Sequence, residues 1–130
     1  MGTRCLTIFK EEETEITVLY RQFDGYETGH GKELAEFLKG FEICNGFGKE
    51  KPKLANGIEC LAAQTIAYFK KTVGGFYIYP TNSRDCGEEY IYYVSGKAGQ
   101  EPNIEIEDCY DEKTVFDGSA SDCLNWIDKL

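Results

Sequence analysis

Two hydrophobic periods that meet at a short polar segment constrain the fold of this chain more than any other feature. Residues 15–22 alternate in polarity and are rich in β-branched and aromatic side chains, which predicts a strand. Apolar residues then recur at Leu34, Phe37, Leu38 and Phe41, which is the spacing of a helix. Because the period changes from two residues to three or four, the chain is expected to build a sheet and helices within one fold.

Capping residues mark two further helices. Asn56 is a favourable N-cap, and Glu59, three residues later, completes the pattern of a capping box at the start of a helix over residues 57–71. Ser119 can cap a last helix over residues 120–129. Both segments carry apolar residues at helical spacing, so each predicts a helix with one buried face.

The whole pattern predicts the element order β β α α β β β β α. Alternating or aromatic-rich runs give the strands, at residues 4–10, 15–22, 76–79, 89–94, 103–109 and 113–116. The polar, glycine-containing residues 45–53 are expected to form a loop. We expect a single domain over residues 1–130 of the α+β class, with a mostly antiparallel sheet, two central helices on one face and a C-terminal helix.

The connection between the second strand and the first helix is the candidate site. Residues 20–31 hold the only histidine of the chain, one of its three arginines, two tyrosines and three glycines. Polar and aromatic side chains concentrated in one connection favour a functional site, because loops carry function on a rigid scaffold. The candidate ligand-binding residues of this segment are Tyr20, Arg21, Gln22, Asp24, Tyr26, His30 and Gly31.

Arg21 and His30 are the basis of an anion-binding hypothesis. A guanidinium binds a phosphate or carboxylate through two hydrogen bonds, and an imidazole beside the N–H groups of a helix start can donate to an anion. Structural alternatives stay open: Arg21 as a strand arginine paired with a glutamate, His30 as a capping or exposed residue, and Asp24 as a turn residue. Asn56 and Gln64, at the second helix, complete the set of candidate ligand residues.

Negative charge is concentrated in the C-terminal third of the chain. The net charge is −9, and residues 84–130 account for −8 of it with 12 acidic and 4 basic residues. Such a surface argues against a nucleic-acid duplex as a partner, because binding to phosphates requires basic patches. Two interpretations remain: a solvated surface that favours solubility, or an acidic patch for a basic partner protein.

Several other kinds of site find no support in the sequence. The six cysteines include no Cys-x-x-Cys pair and the lone histidine is distant from all of them, so zinc-binding spacing is missing. No phosphate-binding loop or nucleophile elbow occurs, and we predict no catalytic residue, cofactor or metal. Without an export signal or a long apolar run, we expect a cytoplasmic protein with free thiols and no membrane partner. A homo-oligomer stays open.

Three motifs together resemble one family. They are YRQFDGYxxGHG at residues 20–31, ANGxxCLAAQ at residues 55–64 and GGFYxYP at residues 74–80. With them the chain resembles a family of small uncharacterised bacteriophage and bacterial proteins, over about residues 2–95. The resemblance implies an intracellular, phage-encoded accessory protein, and it carries over no catalytic residue. Small phage accessory proteins often act against host defence, so we expect such a role here.

Three functional hypotheses follow. In the first, the protein sequesters a small anionic ligand, such as a nucleotide-derived signal, with Arg21 and His30. In the second, it inhibits a host defence protein through the acidic C-terminal third, at Glu105, Glu107, Asp108, Asp111 and Glu112. In the third, it is a hydrolase or phosphodiesterase in which His30 is the general acid–base and Asp24 orients it. Whether the protein is an enzyme is therefore left open.

Overall fold

A computed structural model describes residues 2–46 and 52–130 of the chain. Its elements are β1 (Cys5–Glu11), β2 (Thr14–Arg21), a π-helical turn (Glu27–Gly31), α1 (Lys32–Leu38), β3 (Glu42–Cys44), β4 (Leu54–Asn56), α2 (Gly57–Phe69), β5 (Phe76–Tyr79), β6 (Tyr90–Ser95), β7 (Asn103–Asp108), β8 (Lys113–Ser119) and α3 (Ala120–Asp128). The predicted α+β class is confirmed. The short strands β3 and β4 and the π-helical turn were not predicted. The loop expected at 45–53 lies partly outside the described residues.

One six-stranded sheet organises the molecule, in the order β5-β2-β1-β6-β7-β8. The pairs β1–β2, β2–β5, β6–β7 and β7–β8 are antiparallel, whereas the central pair β1–β6 is parallel. The sheet is therefore mostly antiparallel, as the sequence predicts. The strands β3 and β4 form a separate parallel pair.

The three helices cover one face of the sheet, which we call the helix face. Apolar side chains of β1, β6 and β7 meet those of the helices there, among them Phe9, Leu34, Leu61, Tyr92 and Ile104, each fully buried. Complete burial of such a side chain contributes roughly 1.5–3 kcal/mol to stability. This face therefore holds most of the hydrophobic core.

The opposite face, which we call the outer face, is covered by a loop instead of a helix. The strands β5 and β6 lie on either side of the β2–β1 pair, so residues 80–89 cross both strands. An ion pair of 2.8 Å between Arg84 Nη2 and Glu15 Oε2 holds this crossing segment, and the Asn82 N–H donates to Glu15 Oε1. A second cluster of buried residues lies beneath it, formed by Leu6, Ile8, Val18, Tyr20 and Ile91.

One of the two predicted capping residues is confirmed and the other is wrong. The Ser119 side chain accepts the Asp122 N–H at the start of α3. Asn56 precedes α2 without a capping hydrogen bond. Its Oδ1 accepts the Gly46 N–H instead, at 2.9 Å, because the pairing of Cys44 with Asn56 brings this nearby donor beside it. No helix in the described ranges combines the length and the apolar character that a bilayer crossing requires.

Candidate functional site

Strand geometry separates two neighbouring candidate residues. Side chains alternate between the faces of a strand, so Tyr20 and Arg21 point to opposite sides of the sheet. The Tyr20 ring lies on the outer face and stacks on Tyr79 at a centroid distance of 5.1 Å. Arg21, opposite Phe76 in the ladder, lies on the helix face. One small ligand therefore cannot contact both side chains in this arrangement.

The π-helical turn carries His30 back to the sheet. The His30 N–H donates to the Asp24 carbonyl at 2.7 Å, and the Gly29 N–H donates to the Tyr26 carbonyl at 3.0 Å. A Cβ at Gly29 would lie 2.5 Å from the Asp24 carbonyl oxygen, so only glycine fits there. Asp24 itself adopts a φ of +62°, which supports its role as a turn residue.

The His30 imidazole is fully buried, and both ring nitrogens have partners. Arg21 Nη1 lies 3.1 Å from His30 Nδ1, and Thr7 Oγ1 lies 2.7 Å from His30 Nε2. Because a guanidinium can only donate, Nδ1 is the acceptor of that bond. The proton of the neutral ring therefore resides on Nε2, which donates to the Thr7 hydroxyl.

Burial and charge keep His30 neutral. Loss of hydration lowers the pKa of His30 to about 3, and the nearby Arg21 cation acts in the same direction. The ring also packs against Phe69 and Tyr92, at centroid distances of 5.1 and 5.0 Å. With no exposed surface and both nitrogens in hydrogen bonds, His30 connects the π-helical turn to β1 and β2.

Arg21 is also largely committed to partners within the protein. Its side chain is only 12% exposed, and its guanidinium forms an ion pair with Glu33 on α1. The same group lies over the Phe76 ring, 5.0 Å from its centroid. This arrangement matches the structural alternative in which a strand arginine pairs with a glutamate.

The remaining candidates do not join the Arg21–His30 pair. Gly31 is buried against Tyr92 and Ile127, whereas Tyr26 is exposed. The Gln22 N–H donates to the Gly75 carbonyl at 2.9 Å. Gln64 Nε2 donates to the Leu54 carbonyl at 3.2 Å, so Gln64, like Asn56, stabilises the region around β4.

A different site lies on the outer face. An open cleft of about 370 Å³, which we call the acidic cleft, is lined by Arg84, Asp85, Gly87, Glu88, Ile91, Glu107, Cys109 and Glu112. Four of these residues carry carboxylates and one carries a guanidinium. That guanidinium is already bound to Glu15. The lining therefore retains a net negative charge.

Strands β7 and β8 extend this negative surface beyond the cleft. Glu105 lies opposite Tyr93 on the outer face, and Asp117 lies opposite Glu105 on β8. Their oxygens accept hydrogen bonds from neutral groups, Thr114 Oγ1 at 3.4 Å and Asn103 Nδ2 at 2.8 Å. We call the acidic cleft together with these two carboxylates the acidic face.

The carboxylates of the acidic face lie outside the ion pairs that the described residues form. The ion pairs found between described residues join Arg21 to Glu33, Lys32 to Asp128 and Arg84 to Glu15. None of these pairs includes a carboxylate of the acidic face. Such unpaired carboxylates attract cations from solution.

Burial and the carboxylates of the acidic cleft act together on two nearby thiols, Cys86 and Cys109. Burial, and then the nearby Glu107 and Glu88, raise the pKa of Cys109 to about 11. Burial, Glu88 and Asp85 raise the pKa of Cys86 in the same way. Both thiols are therefore protonated at neutral pH, which makes them poor nucleophiles.

A larger concavity, of about 590 Å³, lies where β6 ends and α3 begins. It is lined by Glu11, Glu12, Ser95, Gly96, Lys97, Gln100, Glu101, Asn103 and Ser119. Glu101 accepts the N–H groups of Gly40 and Ser121, at 2.8 and 2.7 Å. Burial opposes ionisation of Glu101, but these hydrogen bonds outweigh it and lower its pKa. This carboxylate therefore joins α1 to α3.

The sequence indicated the acidic face in part. Glu105, Glu107 and Glu112 were named from charge alone, whereas Asp85 and Glu88 were not, because only the crossing segment brings them beside β7. Asp108 instead accepts the N–H groups of Tyr110 and Asp111 within a turn.

Within residues 2–46 and 52–130, no three His, Cys, Asp or Glu side chains are grouped as a metal site.

Comparisons with protein-family models, curated proteins and solved structures found no match to this chain.

Proposed function

We propose that this protein binds a basic region of another protein with its acidic face. The observation that carries the proposal is the convergence of Asp85, Glu88, Glu107 and Glu112 on one cleft whose guanidinium is bound elsewhere. Clustered carboxylates repel one another, and a cationic partner relieves that repulsion when it docks.

The negative potential favours a protein partner over a nucleotide at this site. Phosphates would be repelled by the same carboxylates that raise the pKa of Cys109. At the other candidate site, His30 is buried and the charge of Arg21 is balanced by Glu33. The nucleotide and hydrolase hypotheses stay predictions, and titration against cyclic and ADP-ribose-type nucleotides tests them.

Inhibition of a host defence protein is the biological role that we propose for this docking, since the family resemblance implies a phage-encoded accessory protein. An acidic surface imitates the charge of nucleic acid, so it can occupy a basic channel or groove of another protein. Capture from host lysate by the wild-type chain, compared with a Glu105→Lys/Glu107→Lys variant, tests this role. Loss of the same captured protein with the variant is the expected result, and equal capture would contradict it.

A defined probe tests the electrostatic part of the proposal. The probe is an eight-residue peptide of alternating lysine and valine, titrated calorimetrically into the protein. We expect a Glu105→Gln/Glu107→Gln variant to bind it on the order of two- to thirty-fold more weakly, since each of two exposed ion pairs contributes roughly 0.2–1 kcal/mol. Added salt should weaken binding to the wild type.

A matched variant controls for net charge. Glu13 and Glu36 are exposed residues outside the acidic face, so Glu13→Gln/Glu36→Gln changes the charge of the protein by the same amount. We expect this variant to bind the peptide nearly as well as the wild type. Equal weakening in both double variants, or no binding to the wild type, would refute docking at the acidic face.

A further inference from the structure

The sheet has two edges, formed by β5 and β8. An edge strand presents unpaired backbone N–H and C=O groups to its surroundings, so another polypeptide strand can pair with it unless the edge is blocked. The two edges of this sheet differ in how far they are blocked.

The β5 edge is blocked by its own neighbours at its Phe76 end, whereas the N–H and C=O of Ile78 point away from β2. Lys70 Nζ donates to the carbonyls of Gly74 and Phe76, at 2.9 and 2.8 Å. The Phe76 N–H donates to the Gly74 carbonyl at 2.8 Å, and Pro80 directly follows the strand. A lysine and a proline placed on an edge are recognised devices against strand addition.

The β8 edge keeps backbone groups available. The Ala120 N–H donates to the Pro102 carbonyl at 3.0 Å. This bond identifies the β8 residues whose backbone N–H and C=O groups point toward β7. Because hydrogen-bonded pairs alternate along an antiparallel ladder, Gly118 and Phe116 face β7, and the N–H and C=O of Asp117 point away from it. A bulge at Val115 limits the regular open stretch to residues 116–119.

Side chains beside this edge define the strand that fits it. On the outer face, Asp117 and its neighbour Glu105 present carboxylates. On the helix face, Phe116 packs against Trp126 at a centroid distance of 5.2 Å. An added strand would therefore carry basic side chains on one face and apolar side chains on the other. A second copy of the β8 edge would bring Asp117 near another Asp117, which disfavours self-association there.

We propose that the partner contributes an extended segment, basic at alternate positions and apolar between them, which adds to β8 as a seventh strand of the sheet. This inference rests on the proposed function, and it states how the basic partner is held. Backbone hydrogen bonds to the Asp117 peptide supply pairing, and the acidic face selects the charge.

N-methylated peptides separate strand addition from simple charge attraction. The alternating lysine–valine peptide is compared with two versions of equal charge, one methylated on the lysine amides and one on the valine amides. Only one edge of the added strand faces β8, so one version should bind at least ten-fold more weakly than the parent peptide and the other should bind about equally. The parent should also slow hydrogen exchange at the Asp117 amide.

Each outcome bears on a different claim. Equal binding of all three peptides, without protection of Asp117, overturns strand addition and leaves docking by charge intact. Equal weakening of both methylated versions also overturns it, because an added strand presents only one edge to β8. Absence of binding by all three refutes the proposed function as well. A peptide with four lysines followed by four valines should bind more weakly than the alternating one, and equal affinity counts against the proposal.

Discussion

Acid should destabilise this protein through His30, at pH values where most proteins change little. The perturbation is a pH titration from 7 to 5. Unfolded, a histidine binds its proton near pH 6.5, whereas in the folded protein the pKa of His30 is lowered to about 3. Between these values the unfolded state holds one more proton than the folded state. The contribution of neutral His30 to the free energy of unfolding is therefore fully present above pH 6.5, and it is lost as the pH falls toward 3.

The magnitude follows from that single proton. A difference of one bound proton changes the free energy of unfolding by about 1.4 kcal/mol per pH unit. Between pH 6.5 and pH 5 this amounts to roughly 2 kcal/mol, a large part of the 5–15 kcal/mol typical of small domains. The chain has one histidine, so no other imidazole contributes.

Urea denaturation at several pH values, followed by the fluorescence of Trp126, measures this effect. A His30→Asn variant is the matched comparison, because its amide oxygen can still accept from Arg21 but does not titrate. We expect this variant to be less stable at pH 7 and nearly independent of pH between 6.5 and 5. Flat wild-type stability over this range, or the same slope in the variant, would refute the assignment of His30 as a buried neutral group.

Three further substitutions test other contacts. Arg21→Met should destabilise the protein by about 1–3 kcal/mol, because it leaves His30 Nδ1 buried without its donor, and urea denaturation measures the loss. Gly29→Ala should cost about 1–3 kcal/mol in the same assay, since a Cβ there would lie 2.5 Å from a backbone oxygen; an unchanged midpoint would contradict this contact. Ser119→Ala should cost about 1 kcal/mol, and Asn56→Ala clearly less, because only Ser119 caps its helix; equal losses in thermal denaturation would contradict the assignment.

The contacts of Arg21 also define what an anionic ligand must do to bind its guanidinium. An anion that reached this guanidinium would have to replace the Glu33 carboxylate, which is half-exposed on α1. A Glu33→Gln variant would remove that competitor. If the nucleotide hypothesis holds, this variant should bind tighter than the wild type in the titration, and unchanged absence of binding in both would count against it.

Local sequence patterns predicted the three helices and the six strands of the large sheet, but not β3, β4 or the π-helical turn. Alternation over β2 correctly places Tyr20 and Arg21 on opposite faces, because successive side chains of a strand always point to opposite sides. The Ser119 cap was readable because its donor lies only three residues away. Such features depend on neighbours along the chain, so the sequence contains all the information that they need.

Only the tertiary structure decided which distant groups meet. His30 bonds to Thr7, 23 residues away, and the parallel pairing of β1 with β6 joins residues 5–9 to residues 90–94. Whether a histidine faces water or the core depends on these long-range pairings, which local periodicity does not encode. The same holds for Asp85, which reaches the β7 carboxylates only because residues 80–89 must cross two strands.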